Sequence, residues 1–276
     1  MPLDILTDLD HGGRWTSLRN AGREWLWRRE APEREGVSPG DPFVDAGGLE
    51  ECIPTVRGTP DHGHAWSRAW SREADRDVIR SDHFILSRTI RSTADGAESD
   101  YVLTADAGFR FVWAAHALLD LSDRATVHTR DGASTRLFPE AAPLLDQAWP
   151  KGAAWVEGRR VGGRALARPL RTAVGSARSG RRHRGRSRRG RFLLLRPRPH
   201  GPSVSRSRSR RATDIHRSVA QLGGFPTTDP YRSTGVEPML GRVFDFAEAG
   251  PGDAARVPAS GQVRWRLTLT TNCRCA

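Results

Sequence analysis

The feature that most constrains this 276-residue chain is an arginine-rich block at residues 159–217. The block holds 20 arginines and a single acid, Asp214, and its densest part reads RRHRGRSRRGRF at 181–192. It has too few apolar side chains to build a core, so a compact fold must come from the residues on either side. Outside the block the chain carries 24 basic and 31 acidic side chains, so the net charge of +12 arises within the block alone.

The residues on either side of the block show the alternation of β-strands. At the C-terminal end, GQVRWRLTLTT (261–271) places apolar side chains on one face and polar side chains on the other. Apolar runs bounded by turn residues fill 82–90, 99–107 and 108–122, and the stretch 12–28 reads as a hairpin with its turn at NAG. Few segments have helical periodicity, so the sequence predicts an all-β fold.

The cysteines and the apolar segments indicate a cellular compartment. Cys52, Cys273 and Cys275 form an odd set without zinc-ligand spacing, which favours a reduced, cytoplasmic compartment. The first ten residues lack the basic and apolar regions of a signal peptide. No apolar run approaches the ~20 residues that span a bilayer, so we expect no membrane partner.

A polar and aromatic stretch at 43–70 concentrates residues suited to a sugar. Glu51, His62, His64 and Trp66 combine groups that bind hydroxyls with a ring that stacks on apolar C–H faces. The alternative is an ordinary exposed loop. His62 and His64 could also ligate a metal, but no third ligand follows at a suitable spacing, so no metal site is predicted.

Two further ionisable residues stand in apolar surroundings. His116 lies in FVWAAHALLDL, where a lone histidine is either a core residue with a partner or a general acid. Glu237 lies in GVEPM, where a carboxylate costs free energy unless it is paired or used in a reaction. An ion pair with Arg232 or Arg242 is the alternative for Glu237.

Six stretches in a fixed order carry a resemblance to a known family. They are GGRWTSLRNAGREWLW, AGGLEECIPTV, PDHGHAWSRAW, FVWAAHALLDL, GVEPMLGRVFD and GQVRWRLTLT. The chain resembles the bacterial aldose 1-epimerases, which are galactose mutarotase-like proteins, over about residues 1–157 and 222–270. The resemblance implies one domain over 1–270, an antiparallel β-supersandwich interrupted by the irregular segment 159–221, followed by a tail at 271–276.

The resemblance also implies an activity, the interconversion of the α and β anomers of an aldose by general acid–base ring opening. His62 is similar to the family's histidine near the ring oxygen, His116 to its general acid and Glu237 to its general base. These residue types suit the reaction, because ring opening removes a proton from the anomeric hydroxyl and gives one to the ring oxygen. The implied partner is a small sugar, and no metal or organic cofactor is implied.

Three further residues, Glu51, Trp66 and His64, are predicted to contact that sugar. His64 stands where relatives often carry an acid, so this contact departs from the family pattern. A relative that binds sugar without catalysis is the alternative for the chain as a whole.

The arginine-rich block allows three interpretations. The chain has 43 arginines and one lysine, as a GC-rich gene gives, and such a gene read in a shifted frame yields Arg, Gly, Ser, Pro and Ala in excess. An irregular insert of about 60 residues is also uncommon within a compact domain. The sequence therefore favours a shifted frame over roughly 160–221, which would remove sugar-binding residues that the family places there. A nucleic-acid-binding arm and an inert insert are the alternatives.

Overall fold

The computed structural model describes most of the chain outside the arginine-rich block. The described residues are 2–120, 148–153 and 235–271, together with the backbone of 232–234 and of short strands at 136–137, 156–157, 194–199 and 216–222. The other residues of the block, and with them the reading-frame and nucleic-acid hypotheses, lie outside the described part.

The chain divides into two compact units, residues 1–120 with 180–276 and residues 121–179. The described residues form β-strands and two 3₁₀ helices, Pro32–Gly36 and Phe246–Glu248. The strands are β1 (Asp4–Asp8), β2 (Arg14–Asn20), β3 (Arg23–Glu24), β4 (Leu49–Cys52), β5 (Ser71–Glu73), β6 (Arg76–Arg80), β7 (Phe84–Thr93), β8 (Gly96–Ala105), β9 (Arg110–Phe111), β10 (Trp113–Asp120), β11 (Arg136–Leu137), β12 (Val156–Glu157), β13 (Leu194–Pro199), β14 (His216–Leu222), β15 (Arg232–Leu240), β16 (Ala255–Arg256) and β17 (Gln262–Thr270).

The first unit is built on two antiparallel sheets. The first sheet has the order β1-β2-β4-β10-β15-β14, with β3 paired to β2, and the second has the order β13-β17-β8-β7-β6-β5. Strands β9 and β16 form a separate pair. In the second unit β11 pairs with β12, and the Trp149 Nε1–H donates to the Ala153 carbonyl over 2.9 Å. The prediction of an all-β fold is confirmed, and no helix among the described residues is long and apolar enough to cross a membrane.

The strand patterns predicted from the sequence recur in the structure. In β17 Trp265, Leu267 and Leu269 are buried, whereas the two residues between them are half-buried. The predicted hairpin at 12–28 is formed by β2 and β3, and Ala21 in its turn has a φ of 47°. Strands β7 and β8 pair along their whole length, as their shared alternation requires.

Two strands that position the site were not evident in the sequence. The stretch LEEC forms β4, a central strand of the first sheet in which all four residues are buried. Strand β15 carries the GVEPM stretch and lies between β10 and β14. The alternative of an exposed loop at 43–70 is therefore wrong for these four residues. The sequence did not show the strand, because a strand with two adjacent carboxylates lacks the usual apolar pattern.

Aromatic side chains fill the space between the two sheets. The rings of Trp113 from the first sheet and Trp265 from the second have centroids 5.1 Å apart, and Tyr101 stacks on Trp265 at the same distance. All three are fully buried. Because burial of one such large apolar side chain contributes ~1.5–3 kcal/mol, this cluster is a main source of cohesion between the sheets.

A buried carboxylate sits within this aromatic layer. Glu51 on β4 accepts hydrogen bonds from Arg88 Nη1 (3.1 Å), the Tyr101 hydroxyl (2.7 Å) and Trp113 Nε1 (2.7 Å). Arg88 on β7 also contacts Asp77 over 3.2 Å and donates to the Gly13 carbonyl. Burial raises the pKa of Glu51, and Arg88 with the two neutral donors opposes that rise. The two sheets are thus joined by a charged pair whose polar atoms have protein partners.

We expect Glu51→Gln to lower the free energy of unfolding by about 3–5 kcal/mol, because the variant leaves the Arg88 guanidinium buried opposite a neutral amide. The matched control is Glu73→Gln, which breaks the exposed pair with Arg80 and should change stability far less. Urea denaturation of both variants provides the measurement. Equal losses in the two variants would show that the buried pair does not hold the sheets together.

Candidate active site

Three neighbouring strands of the first sheet carry a row of ionisable residues on one face. In the register of β4 with β10, Glu50 is the partner of His116. The pairing of Ala117 with Val236 places His116 opposite Glu237 in the register of β10 with β15. Alternation sends Ala115 and Ala117 into the core between the sheets, so His116 points to the opposite face. The motifs around residues 50, 116 and 237 therefore meet because their strands are adjacent.

The imidazole of His116 and the carboxylate of Glu237 face each other without a hydrogen bond. His116 Nε2 lies 3.9 Å from Glu237 Oε1, which is beyond hydrogen-bond distance. The side chains are 15% and 3% exposed, respectively. Glu237 Oε2 is buried and has no hydrogen-bond partner among the described residues. A buried acceptor without a partner is costly and marks a place where a ligand donor fits.

His62 completes the group from a loop above the sheet. Its ring centroid lies 5.1 Å from that of His116, with the rings nearly perpendicular. The Nδ1 atom lies 3.1 Å from Asp61 Oδ1, and this hydrogen bond lowers the pKa of Asp61. Since an ionised carboxylate only accepts, Nδ1 carries the proton and Nε2 is left for other partners.

The backbone at His62 is held in an uncommon conformation. Its φ is 59°, in the left-handed region, and its N–H donates to the Val56 carbonyl over 3.0 Å. The next residue must be glycine, because a Cβ at Gly63 would lie 2.1 Å from the Ile53 carbonyl oxygen. Strain of this kind costs of the order of 1 kcal/mol and is typical of functional sites. The DHG stretch is thus explained by a close backbone approach that turns His62 towards His116.

Burial changes the acidity of His116. It lowers the pKa of the imidazole, and the nearby Glu237 carboxylate opposes this effect. The imidazolium of His116 is therefore a stronger acid than that of a free histidine, which suits a group that must give up a proton.

Three predicted sugar contacts lie elsewhere than expected. Glu51 is fully buried, and its carboxylate is bound by protein donors between the sheets. Trp66 is 1% exposed, and its indole N–H donates to the Asp61 carbonyl over 3.0 Å. The His64 ring lies near those of His83 and Phe84. The structure corrects the first two predictions, because these side chains have no surface left for a ligand, and it places His64 in a different cluster from His62 and His116.

Two residues around the site were not predicted. Phe43 stacks on His62, with ring centroids 3.5 Å apart. Arg34 forms a buried two-point ion pair with Glu50, at 2.8 and 2.9 Å. Phe43 opens the stretch that the sequence singled out, but no pattern marks a ring that covers an imidazole. Arg34 lies in a short polar segment without any signal of burial.

Among the described residues no cluster of three or more His, Cys, Asp or Glu side chains could hold a metal ion. The ionisable side chains that the structure brings together here are those of His62, His116 and Glu237, and Asp61 is hydrogen-bonded to His62. Groups of this kind can move protons to and from the oxygens of a bound molecule.

Comparisons with known proteins support the fold at the level of structure. No family model and no curated protein sequence matches the chain. Among solved structures, the Slr1438 protein from Synechocystis sp. PCC 6803 has a TM-score of 0.56 at 12% identity, over 99% of this chain and 96% of that one. The galactose mutarotase related enzyme from Lactobacillus acidophilus has a TM-score of 0.52 at 11% identity, over 99% and 96%. A candidate aldose 1-epimerase from Escherichia coli K12 has a TM-score of 0.52 at 14% identity, over 98% and 96%.

The chain has the galactose mutarotase-like fold. The matches span nearly the whole of both chains, so the likeness is not limited to one sheet. The β-supersandwich expected from the sequence motifs is confirmed.

We expect His116 to make stability depend on pH. Because burial lowers its pKa, the native state binds this proton less readily than the unfolded chain does. Neutral His116 therefore contributes fully to stability above its ordinary pKa of about 6.5. This contribution is lost as the pH falls through the lower pKa that His116 has in the folded protein. Between about pH 7.5 and pH 5 the wild type should therefore lose more unfolding free energy than His116→Gln, which cannot titrate.

Urea denaturation of both proteins at the two pH values measures this difference, and all other titrating groups are shared. Parallel losses in the two proteins would mean that His116 is not buried as a neutral group.

Proposed function

We propose that this chain is an aldose 1-epimerase of the galactose mutarotase-like family, acting on a small sugar without a cofactor. The observation that carries the proposal is the pair formed by His116 and Glu237, an imidazole and a carboxylate 3.9 Å apart, in which one carboxylate oxygen has no hydrogen-bond partner among the described residues. The likeness to the L. acidophilus and E. coli structures supports the same reaction class.

The reaction requires two proton transfers, one at each of the two oxygens bonded to the anomeric carbon. Glu237 takes the proton of the anomeric hydroxyl while His116 gives a proton to the ring oxygen, so the bond between C1 and the ring oxygen breaks and an open-chain aldehyde forms. Rotation about the C1–C2 bond presents the other face of the carbonyl. The two groups then exchange roles, and the ring closes as the other anomer.

The geometry fits these roles. The two oxygens of a hemiacetal are bonded to the same carbon, so an acid and a base on adjacent strands can reach both. The absence of a hydrogen bond between His116 and Glu237 leaves each group free for its own sugar oxygen. His62 lies beside His116 and has Nε2 available, so it serves as the second partner of the ring oxygen.

The full chain should accelerate anomer interconversion of freshly dissolved α-D-glucose, α-D-galactose or their 6-phosphates, followed by polarimetry and NMR. We expect Glu237→Gln and His116→Gln each to lower the rate by ~10²–10⁴-fold, the usual contribution of a general base or acid. The matched controls are Glu98→Gln and His83→Gln, which change the same residue types away from the site and should keep the wild-type rate.

Unchanged rates in both site variants would refute the assignment of acid and base. Saturable sugar binding by the wild type, with interconversion no faster than in buffer, would instead identify a sugar-binding relative without catalysis.

The same assay should include the protein made from a gene in which the reading frame over residues 160–221 is restored. We infer from the composition of residues 160–221 that their codons are read in a shifted frame, so a gene with the frame restored should give the more active protein. Sequencing of independent DNA over this region tests the inference first. An intact frame in that DNA would exclude it.

A further inference from the structure

Phe43 lies at one side of the candidate site, against the imidazoles of His62 and His116. Its ring lies against the imidazole of His62, with centroids 3.5 Å apart and planes 10° apart. It meets His116 and Trp66 edge-on, with centroids 6.4 and 5.0 Å away. The side chain is half-buried, whereas Trp66 is 1% exposed. Phe43 is thus an aromatic ring that lies against both imidazoles.

A hydrogen bond to the neighbouring residue, Val44, holds the loop that carries Phe43. Arg34 Nη1 donates to the Val44 carbonyl over 2.8 Å while the same guanidinium binds Glu50. Arg34 Nη2 also donates to the Trp66 carbonyl over 3.2 Å, which ties in the loop that follows His62. Buried charge-assisted hydrogen bonds of this kind hold loops firmly. The position of Phe43 is therefore set by the same ion pair that fixes Glu50 beside His116.

His62 needs such a contact because its own side-chain hydrogen bond leaves its orientation weakly defined. The hydrogen bond runs from Nδ1 to Asp61, a side chain that is 50% exposed. One bond to a half-exposed carboxylate limits the distance of the imidazole but allows its plane to tilt. A stacked ring removes that freedom, since stacked aromatic pairs prefer near-parallel planes. Rate depends on such alignment, because misplacement by about 1 Å can cost roughly a hundredfold.

We propose that Phe43 is a positioning residue of this site, whose ring fixes the plane of the His62 imidazole and so directs Nε2 towards the bound sugar. The effect on rate rests on the proposed epimerase function, whereas the effect on His62 does not. The two can therefore be tested separately.

The first test uses NMR of the full chain with labelled histidine, and His62→Asn assigns the signal. A ring 3.5 Å above the imidazole shifts its C–H protons upfield. We expect Phe43→Leu to abolish that upfield shift and Phe43→Tyr to retain it. The control is Phe109→Leu, which removes another half-buried ring whose contacts are with Phe84 and Phe111. A His62 signal at the same position in wild type and Phe43→Leu would overturn the proposal.

The second test measures anomer interconversion in the same proteins. We expect Phe43→Leu to lower kcat roughly ten- to a hundredfold with little change in KM, Phe43→Tyr to restore most of the rate, and Phe109→Leu to resemble the wild type. A rise in KM at unchanged kcat would contradict a positioning role. If neither the wild type nor the frame-restored protein shows activity, the proposed function fails, and the NMR result still decides whether the Phe43 ring lies on His62.

Discussion

The ion pair between Glu51 and Arg88 is the interaction on which the rest of the fold depends. It joins a central strand of one sheet to the other sheet, inside a layer of aromatic rings. Such a pair stabilises the fold only if its remaining polar atoms are also satisfied, and here Tyr101, Trp113, Asp77 and a backbone carbonyl complete the set. Removal of any one partner leaves a charge or a donor buried without compensation.

The same strand sends its neighbouring carboxylate to the opposite face. Glu50 pairs with Arg34, and that guanidinium also binds carbonyls of the loops on either side of the site. A slip of β4 by one residue would exchange the two faces and break both ion pairs at once. The register that holds the sheets together therefore also sets where Glu50, His116 and Glu237 meet. The register of β4 therefore determines both the packing of the two sheets and the arrangement of the candidate site.

Much of the fold can be predicted from the sequence, since strands such as β7, β8 and β17 show the alternation that one buried face imposes. His62, His116 and Glu237 are recognisable from family-like motifs, and the structure brings them together. The acidic strand β4 was missed because each of its carboxylates is neutralised by an arginine distant in sequence. The same long-range pairing explains why Glu51 was expected at the site, although it belongs to the core. Phe43 and Arg34 act through contacts that no local pattern reveals.

The central claim is that Glu237 and the two histidines form the acid–base site for a sugar. A crystal structure of the chain soaked with D-galactose or D-glucose tests it most directly. The claim predicts that Glu237 Oε2 accepts a hydrogen bond from the anomeric hydroxyl and that the ring oxygen lies within hydrogen-bond distance of the imidazoles of His62 and His116. A sugar bound instead in the groove on the second sheet lined by Arg76, Arg91 and Arg264, with Glu237 left without a partner, would contradict it.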